Sequence, residues 1–295
     1  MCIFKRTTIA ILALLGLMAS AFAEEDATGV STTKQTTYLA IYYPFRVSRF
    51  PAVSGKTSFT PIPEYENWSI DRIDRDLARM VNCGLNGVLL AIEPSDLTDI
   101  HKFDMIRTFI VLASKNEGFK VSFLFAPIRK TQLSRSNVSN FLKRKGFFSY
   151  SSNYKFNDSN VIFVSDNVEL VSSDKPEYIF YTINLPSQIA STGDSTGLVT
   201  YPALPLGSAD VKSSFNVVQI FAGFFVENDK GQWIVSRKNG IIFHKLLDDA
   251  CKISPDIVVI SSWNDYSHGS AIETNTLDKS QMQDVLKNFM QKHKK

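Results

Sequence analysis

The stretch Pro255-Asp-Ile-Val-Val-Ile-Ser-Ser-Trp-Asn-Asp-Tyr-Ser-His-Gly-Ser-Ala-Ile-Glu273 decides how this chain is read. Ile257 to Ile260 is a continuous apolar run rich in β-branched residues, the pattern of a strand buried on both faces in a parallel sheet. The run breaks into Trp263, Asn264, Asp265, Tyr266, His268 and, past Gly269, Glu273. In α/β folds, binding and catalytic groups gather where parallel strands end. The same residues also suit a plain capped turn, with Asn264 or Asp265 bonding to nearby backbone and the aromatics packed on the core.

Six further runs upstream read as strands: Tyr38 to Tyr43 before Pro44, Gly87 to Ile92 before Glu93-Pro94, and Lys120 to Phe125 before Ala126-Pro127. Val161 to Val164, Tyr178 to Ile183 before Asn184, and Asn216 to Phe221 complete the set. Helical periods lie between several of them. Ser69 is placed to cap a helix carrying Ile70, Ile73, Leu77, Met80 and Val81, and Gly84 to end it. A second helix is expected from Phe103 to Asn116 and a short one from Ser139 to Arg144. Another carries Phe243, Leu246, Leu247 and Ala250, and Ser280-Gln-Met-Gln283 has the form of a capping box opening the last. Pro186 to Ser208 reads as a long loop.

Strands alternating with helices and short turns predict an α/β fold with a parallel sheet. Residues 36–295 are expected to form one (β/α)8 TIM-type barrel. One or two of its αβ units are read as degenerate, because strand candidates outnumber convincing helices. A doubly wound open sheet is the alternative.

With 295 residues and 44% hydrophobic side chains, the chain can bury a core of that size. A net charge of +3 from nearly balanced acids and bases, with no long basic block, gives no reason to expect nucleic acid. No Gly-rich phosphate loop is present. At the N-terminus, Lys5 and Arg6, the apolar run Ile9 to Met18 and Ala21-Phe-Ala23 match the three regions of a secretory signal peptide over residues 1–23. That apolar run is shorter than the roughly 20 residues of a spanning helix, so export without a membrane span is expected, to the periplasm or outside the cell. Residues 24–35 read as a polar leader. The exported chain would carry Cys83 and Cys251, expected as free thiols. Neither has a His or second Cys at metal-ligand spacing, so no metal and no cofactor is expected.

The segment Ser262 to Glu273 resembles the motif Ser-Trp-Asn-Glu-Trp-x-Glu-Gly-Thr-x-Ile-Glu-Pro of the family 99 and family 71-like glycoside hydrolases. Tyr42-Tyr43-Pro44-Phe45 is similar to the Tyr-Tyr-Pro-Trp that ends their first strand, and Ser236 to Phe243 to their Arg-x-x-Gly-x-x-Tyr segment. The resemblance implies a (β/α)8 barrel acting on a glycan or polysaccharide. It also implies a Glu-x-x-Glu pair, the first assisting attack by the sugar's own 2-hydroxyl and the second serving as acid/base. Those positions hold Asp265 and His268 here, and Thr274 stands in place of the final Pro.

Parallel strands would bring Tyr42, Tyr43, Glu93, Asp166, Asn184 and the 263–273 segment to one end of the sheet. Aromatic faces stack on sugar rings, and carboxylates and amides bond hydroxyls, so this set suits a carbohydrate groove. Asp265, His268, Glu273 and Glu93 are the candidate catalytic groups, and Tyr42, Tyr43, Trp263, Asn264, Tyr266 and Arg237 the candidate substrate-binding ones. Glu93 and Asp166 also read as turn residues, and Arg237 as a helix-entry charge. A glycoside hydrolase is the function these residues favour, with an inactive glycan-binding barrel or an envelope structural protein as alternatives.

Overall fold

The computed structural model describes residues 35–45, 60–64, 67–171, 178–183, 198–201, 216–226 and 232–293. The chain divides into residues 1–35 and residues 36–295. The expected signal peptide, nearly all of the leader, Asn184 and most of the expected 186–208 loop lie outside the described residues.

All seven strand candidates are strands, and they run parallel in one sheet. Numbering only these, they are β1 (Thr37–Tyr42), β2 (Gly87–Ile92), β3 (Lys120–Phe125), β4 (Ser159–Ser165), β5 (Tyr178–Ile183), β6 (Val217–Phe221) and β7 (Ile257–Ser261). Their order in the sheet is β5-β4-β3-β2-β1-β7-β6. Leu198–Tyr201, inside the expected loop, is a strand after all and pairs antiparallel with the outer side of β6. Lys155–Phe156 pairs antiparallel with the start of β4, and two small sheets complete the described strands: Thr131–Ser134 with Val168–Val171, and Phe224–Val226 with Gln232–Val235.

Among the described residues there are five α-helices: α1 (Ile70–Asn82), α2 (Ile100–Ala113), α3 (Arg135–Arg144), α4 (Ile241–Ile253) and α5 (Gln281–His293). The Ser69 hydroxyl accepts from Arg72 N and caps α1, as its sequence predicts. After α1, Gly84 adopts φ +84° with Met290 so close that a Cβ would lie 2.8 Å from the Met290 Cβ. Only glycine combines that backbone with that approach. Helix α2 begins three residues earlier than its apolar period suggests, because Asp99 accepts from His101 N and Lys102 N. Ser134 likewise extends α3 backward by accepting from Asn137 N. At α5, Ser280 donates its hydroxyl to Asp284 Oδ2 at 2.8 Å, in place of the expected capping box with Gln283.

The strands alternate between two buried faces. Ala40, Leu90, Phe125, Ile220 and Ile260 pack with Ile73, Leu77, Phe109, Leu247 and Leu286 of the helices. The opposite residues, Leu39, Ile41, Leu89, Leu124, Phe163, Tyr181, Val217 and Val259, form a second cluster that contains no helix residue. None of these eight is more than 3% exposed. Burial of each such side chain stabilises the fold by about 1.5–3 kcal/mol, so both faces matter energetically. Cys83 and Cys251 are free thiols, and burial pushes that of Cys83 up to about 12. No helix among the described residues is long and apolar enough to cross a membrane.

Candidate functional site

The motif loop grows directly out of β7. Past a cis Ser261–Ser262 peptide, Trp263 N donates to Ile41 O at 2.8 Å and so continues the β7 to β1 ladder. Asn264 extends the ladder with its side chain: Tyr43 N donates to Asn264 Oδ1 and Asn264 Nδ2 donates to Tyr43 O, both at 2.8 Å. The loop then closes on itself. Ser262 N donates to Ser270 O, Ser270 N to Asp265 O, Ile272 N to Ser262 O and Glu273 N to Trp263 O. Gly269 turns the chain at φ +65°, a left-handed conformation that disfavours a side chain.

Inside that turn, Asp265 is 1% exposed and His268 is partly exposed. His268 Nδ1 lies 2.8 Å from Asp265 Oδ2, and the Ser267 hydroxyl donates to Asp265 Oδ1. Asp265 N donates to Ser262 Oγ at 2.7 Å, and the imidazole stacks on Phe224 with ring centroids 6.2 Å apart. A buried carboxylate demands a donor, so His268 directs an Nδ1–H at Asp265 and leaves Nε2 for other partners. The two side chains act as one hydrogen-bonded unit.

Several expected site residues form the frame of this loop. Arg237, 6% exposed, donates from Nη1 to Gly269 O and from Nη2 to Ala271 O, each at 2.8 Å, and from Nε to Asp278 Oδ2 at 2.6 Å. Its guanidinium fork holds the loop from three directions. Gly223 permits this, since a Cβ there would sit 2.6 Å from Arg237 Cγ and 2.8 Å from Gly269 O. Glu273 is wholly buried, accepts from Tyr266 OH at 3.1 Å and faces Arg79 Nη1 at 4.0 Å. That pairing also accounts for Tyr266, which is buried and turned inward.

Tyr42 lies on the helix-covered face. Its hydroxyl donates to Asp76 Oδ2 at 2.7 Å and accepts from Trp68 Nε1 at 2.8 Å. Asp76 in turn meets Arg72 Nε at 3.3 Å. Burial raises the Asp76 carboxyl, with Arg72 opposing, and burial followed by the Asp76 charge drives the Tyr42 hydroxyl well above its ordinary value. Tyr43 is on the other face, and Tyr43 and Trp263 are 2% and 0% exposed, so neither presents an open stacking surface. Glu93 is half-buried at the end of β2, and its N–H donates to Asp96 Oδ2 at 2.8 Å. Asp166 lies in an exposed turn and lines a cavity of about 390 Å³ with Lys130, Gln132, Asn167 and Glu169. Among the described residues no group of three or more His, Cys, Asp or Glu is placed to hold a metal ion.

Sequence reading missed the partners that make the loop rigid. Asn275 Oδ1 accepts from Leu277 N and Asp278 N, and its Nδ2 donates to Glu273 O and Asp278 Oδ1. An Asn-x-x-Asp pattern after the motif was the available signal for such a turn. For Ser267 and Phe224 no pattern existed, because their roles depend on where β7 and the 224–226 strand bring them.

A GH99 endo-α-mannosidase from Bacteroides thetaiotaomicron, solved in complex with BIS-TRIS-propane, superposes with TM-score 0.61 at 13% identity, over 88% of this chain and 98% of that one. A second structure of a GH99 endo-α-mannosidase from that organism gives TM-score 0.61 at 12% identity, over 88% and 99%. A glycoside hydrolase-like protein gives 0.59 at 13%, over 90% and 97%. The chain has a remote GH99-like fold. No protein-family model matches the sequence, and no curated protein is significantly similar to it. In this GH99-like chain the motif loop is thus built and buttressed at the end of β7, with Asp265 and His268 bonded to each other at its tip.

Proposed function

We propose that the chain is an exported glycoside hydrolase of (β/α)8-barrel form, in which Asp265 and His268 handle the proton as a single acid/base unit. Two observations support the barrel. The last strand, β7, lies beside β1 with β6 outside it, the order of a closing barrel, whereas in a doubly wound sheet the first strand past the switch neighbours β1. Among the described residues the helix-free face is also buried by strand residues together with Tyr43, Ala126 and Tyr154 and by no helix, as when a sheet curls on itself. The antiparallel Leu198–Tyr201 strand stands in sequence and in the sheet where a sixth parallel strand would, so this is the degenerate unit.

The observation that carries the catalytic reading is the 2.8 Å contact of His268 Nδ1 with buried Asp265, on a partly exposed ring at the end of the last parallel strand. The carboxylate fixes the tautomer, so Nε2 donates a proton to a leaving oxygen when the ring is protonated and recovers one from water afterwards. Glu93, at the end of β2, is the carboxylate we assign the second role, from a side chain that also accepts from Asp96 N in a reciprocal capping box. The α-mannosidase activity of the structural neighbours makes α-mannosides the first substrates to test.

One observation favours the reading of an inactive glycan-binding barrel. The Asp265 carboxylate is buried and engaged with His268 and Ser267, so it offers no open carboxylate to a sugar. Reducing-end release should be measured across a glycan panel that includes α-mannosides, for the wild type and for Asp265→Glu/His268→Glu. A wild type that cleaves supports the hydrolase. A wild type that binds but does not cleave, with activity in the double variant alone, supports the inactive barrel.

A further inference from the structure

Helix α3 lies in the most one-sidedly charged part of the chain. From Gly118 to Asn157 there are eight lysines and arginines and no aspartate or glutamate, so this stretch is net positive by eight while the whole chain is +3. Val138 and Leu142 turn one face of α3 into the helix-covered core. Asn137, Asn140, Phe141 and Arg144, at i, i+3, i+4 and i+7, share another. With Lys143 they line a cavity of about 470 Å³, within the size range of small-ligand sites, and no carboxylate lines it. Asn137, Asn140, Lys143 and Arg144 are exposed, so a ligand reaches the cavity from solvent.

The basic end of α3 partly serves the helix itself. A helix C-terminus carries only about half a negative charge, so Lys143, Arg144 and Lys145 exceed what the dipole offsets. Arg144 Nε donates to Asn140 O at 3.3 Å, which holds the guanidinium against the helix and leaves both Nη groups without a hydrogen bond or ion pair among the described residues. That is the fork that grips a carboxylate or sulfate through two parallel bonds. Lys145 Nζ rests 5.7 Å from the centroid of the Phe141 ring and 5.2 Å from that of Phe103, which fixes another positive charge beside the cavity. The Asn137 and Asn140 side-chain amides have no partner among the described residues, and each offers donors and an acceptor to hydroxyls. Phe141 adds an apolar wall for the carbon face of a ring. An anionic group on a compact polyhydroxylated ring meets all of these features.

We propose that this cavity is a second, non-catalytic binding site for an acidic sugar, with Arg144 gripping its carboxylate or sulfate and Asn137 and Asn140 bonding hydroxyls beside Phe141. The choice of a sugar rests on the glycan-active reading above, and the choice of an anion does not. Oligosaccharides of galacturonate, glucuronate and sulfated galactose, each with its neutral methyl-ester or desulfated counterpart, should be titrated at low and high salt against the wild type, Arg144→Glu and Asn140→Ala, with inorganic sulfate and a short DNA duplex as controls. At least one acidic oligosaccharide is expected to bind the wild type better than its neutral counterpart, and more weakly at high salt. Arg144→Glu should weaken it about tenfold or more and Asn140→Ala about threefold to tenfold, as loss of a charged and of a neutral hydrogen bond does. Their Tm should hold, because both side chains are exposed, and if Arg144→Glu melts early, Arg144→Gln takes its place. Acidic oligosaccharides that bind no better than the neutral ones, or no worse in the Arg144 variant, overturn the site. So does sulfate or DNA binding as tightly as they do, which marks a general basic surface. Acidic-sugar binding without turnover of any glycan leaves this site standing and removes the hydrolase, whereas turnover without acidic-sugar binding does the reverse.

Discussion

Replacing Arg237 with Ala removes three hydrogen bonds at once from the base of the motif loop. They end on Gly269 O, Ala271 O and Asp278 Oδ2, at 2.8, 2.8 and 2.6 Å. The Asp278 side chain is 8% exposed, so the change strands a buried carboxylate as well as two carbonyls. Breaking one side of a buried ion pair costs about 3–5 kcal/mol, and the two carbonyls lose charge-assisted bonds of about 1.5–3 kcal/mol each. Because the three share one side chain and water can enter the gap, the losses do not add. A net destabilisation of about 3–5 kcal/mol is expected. Arg237→Lys keeps the charge but not the fork, and should lose less, about 2–3 kcal/mol. Urea unfolding of the three proteins, followed by Trp fluorescence, reads this as a fall in midpoint at constant slope. A loss below about 1 kcal/mol in Arg237→Ala would refute the idea that this fork holds the loop.

Three more expectations concern the frame. Asn264→Ala removes both amide contacts with the Tyr43 backbone and should cost about 2–3 kcal/mol in the same unfolding assay, with no effect if the ladder ends at Trp263. Tyr42→Phe leaves Asp76 and Trp68 Nε1 without their shared hydroxyl and should cost about 1–3 kcal/mol, seen as a lower Tm. Asp76 gives a pH test. Its folded carboxyl titrates above its unfolded value of about 3.9. The stability it contributes is therefore complete below that pH and is lost as pH rises through the raised folded value. Wild type should thus lose stability relative to Asp76→Asn as pH climbs through this window, and a difference of opposite slope would contradict the burial argument.

The sheet was legible because each parallel strand is buried on both faces and so is written as an unbroken apolar run, as in Gly87 to Ile92 and Ile257 to Ile260. Leu198–Tyr201 escaped notice because four residues among Gly, Pro and Ser carry no period. Helix starts slipped where a cap precedes polar residues, as Asp99 does before His101 and Lys102, since apolar periodicity begins only later. At the site, residue type identified the loop but not its geometry. Asp265 and His268 three apart could straddle a substrate or bond each other, and only the tight turn at Gly269 selects the second. Arg237 reads as a surface charge until the distant Gly269 and Ala271 carbonyls are brought to it. A contact such as that of buried Glu273 with partly exposed Arg79 joins residues far apart in the chain and leaves no local pattern.

The most direct test of the catalytic claim is turnover of a bound glycan by the wild type, His268→Ala and Asp265→Asn, with sugar affinity measured by calorimetry on the same samples. If the pair is the acid/base unit, His268→Ala should lower the rate by about 10²–10⁴-fold. Asp265→Asn should follow it in the same direction, and affinity should stay within about threefold in both, because a proton-transfer group acts mainly in the transition state. Wild-type cleavage that persists undiminished in His268→Ala would contradict the account.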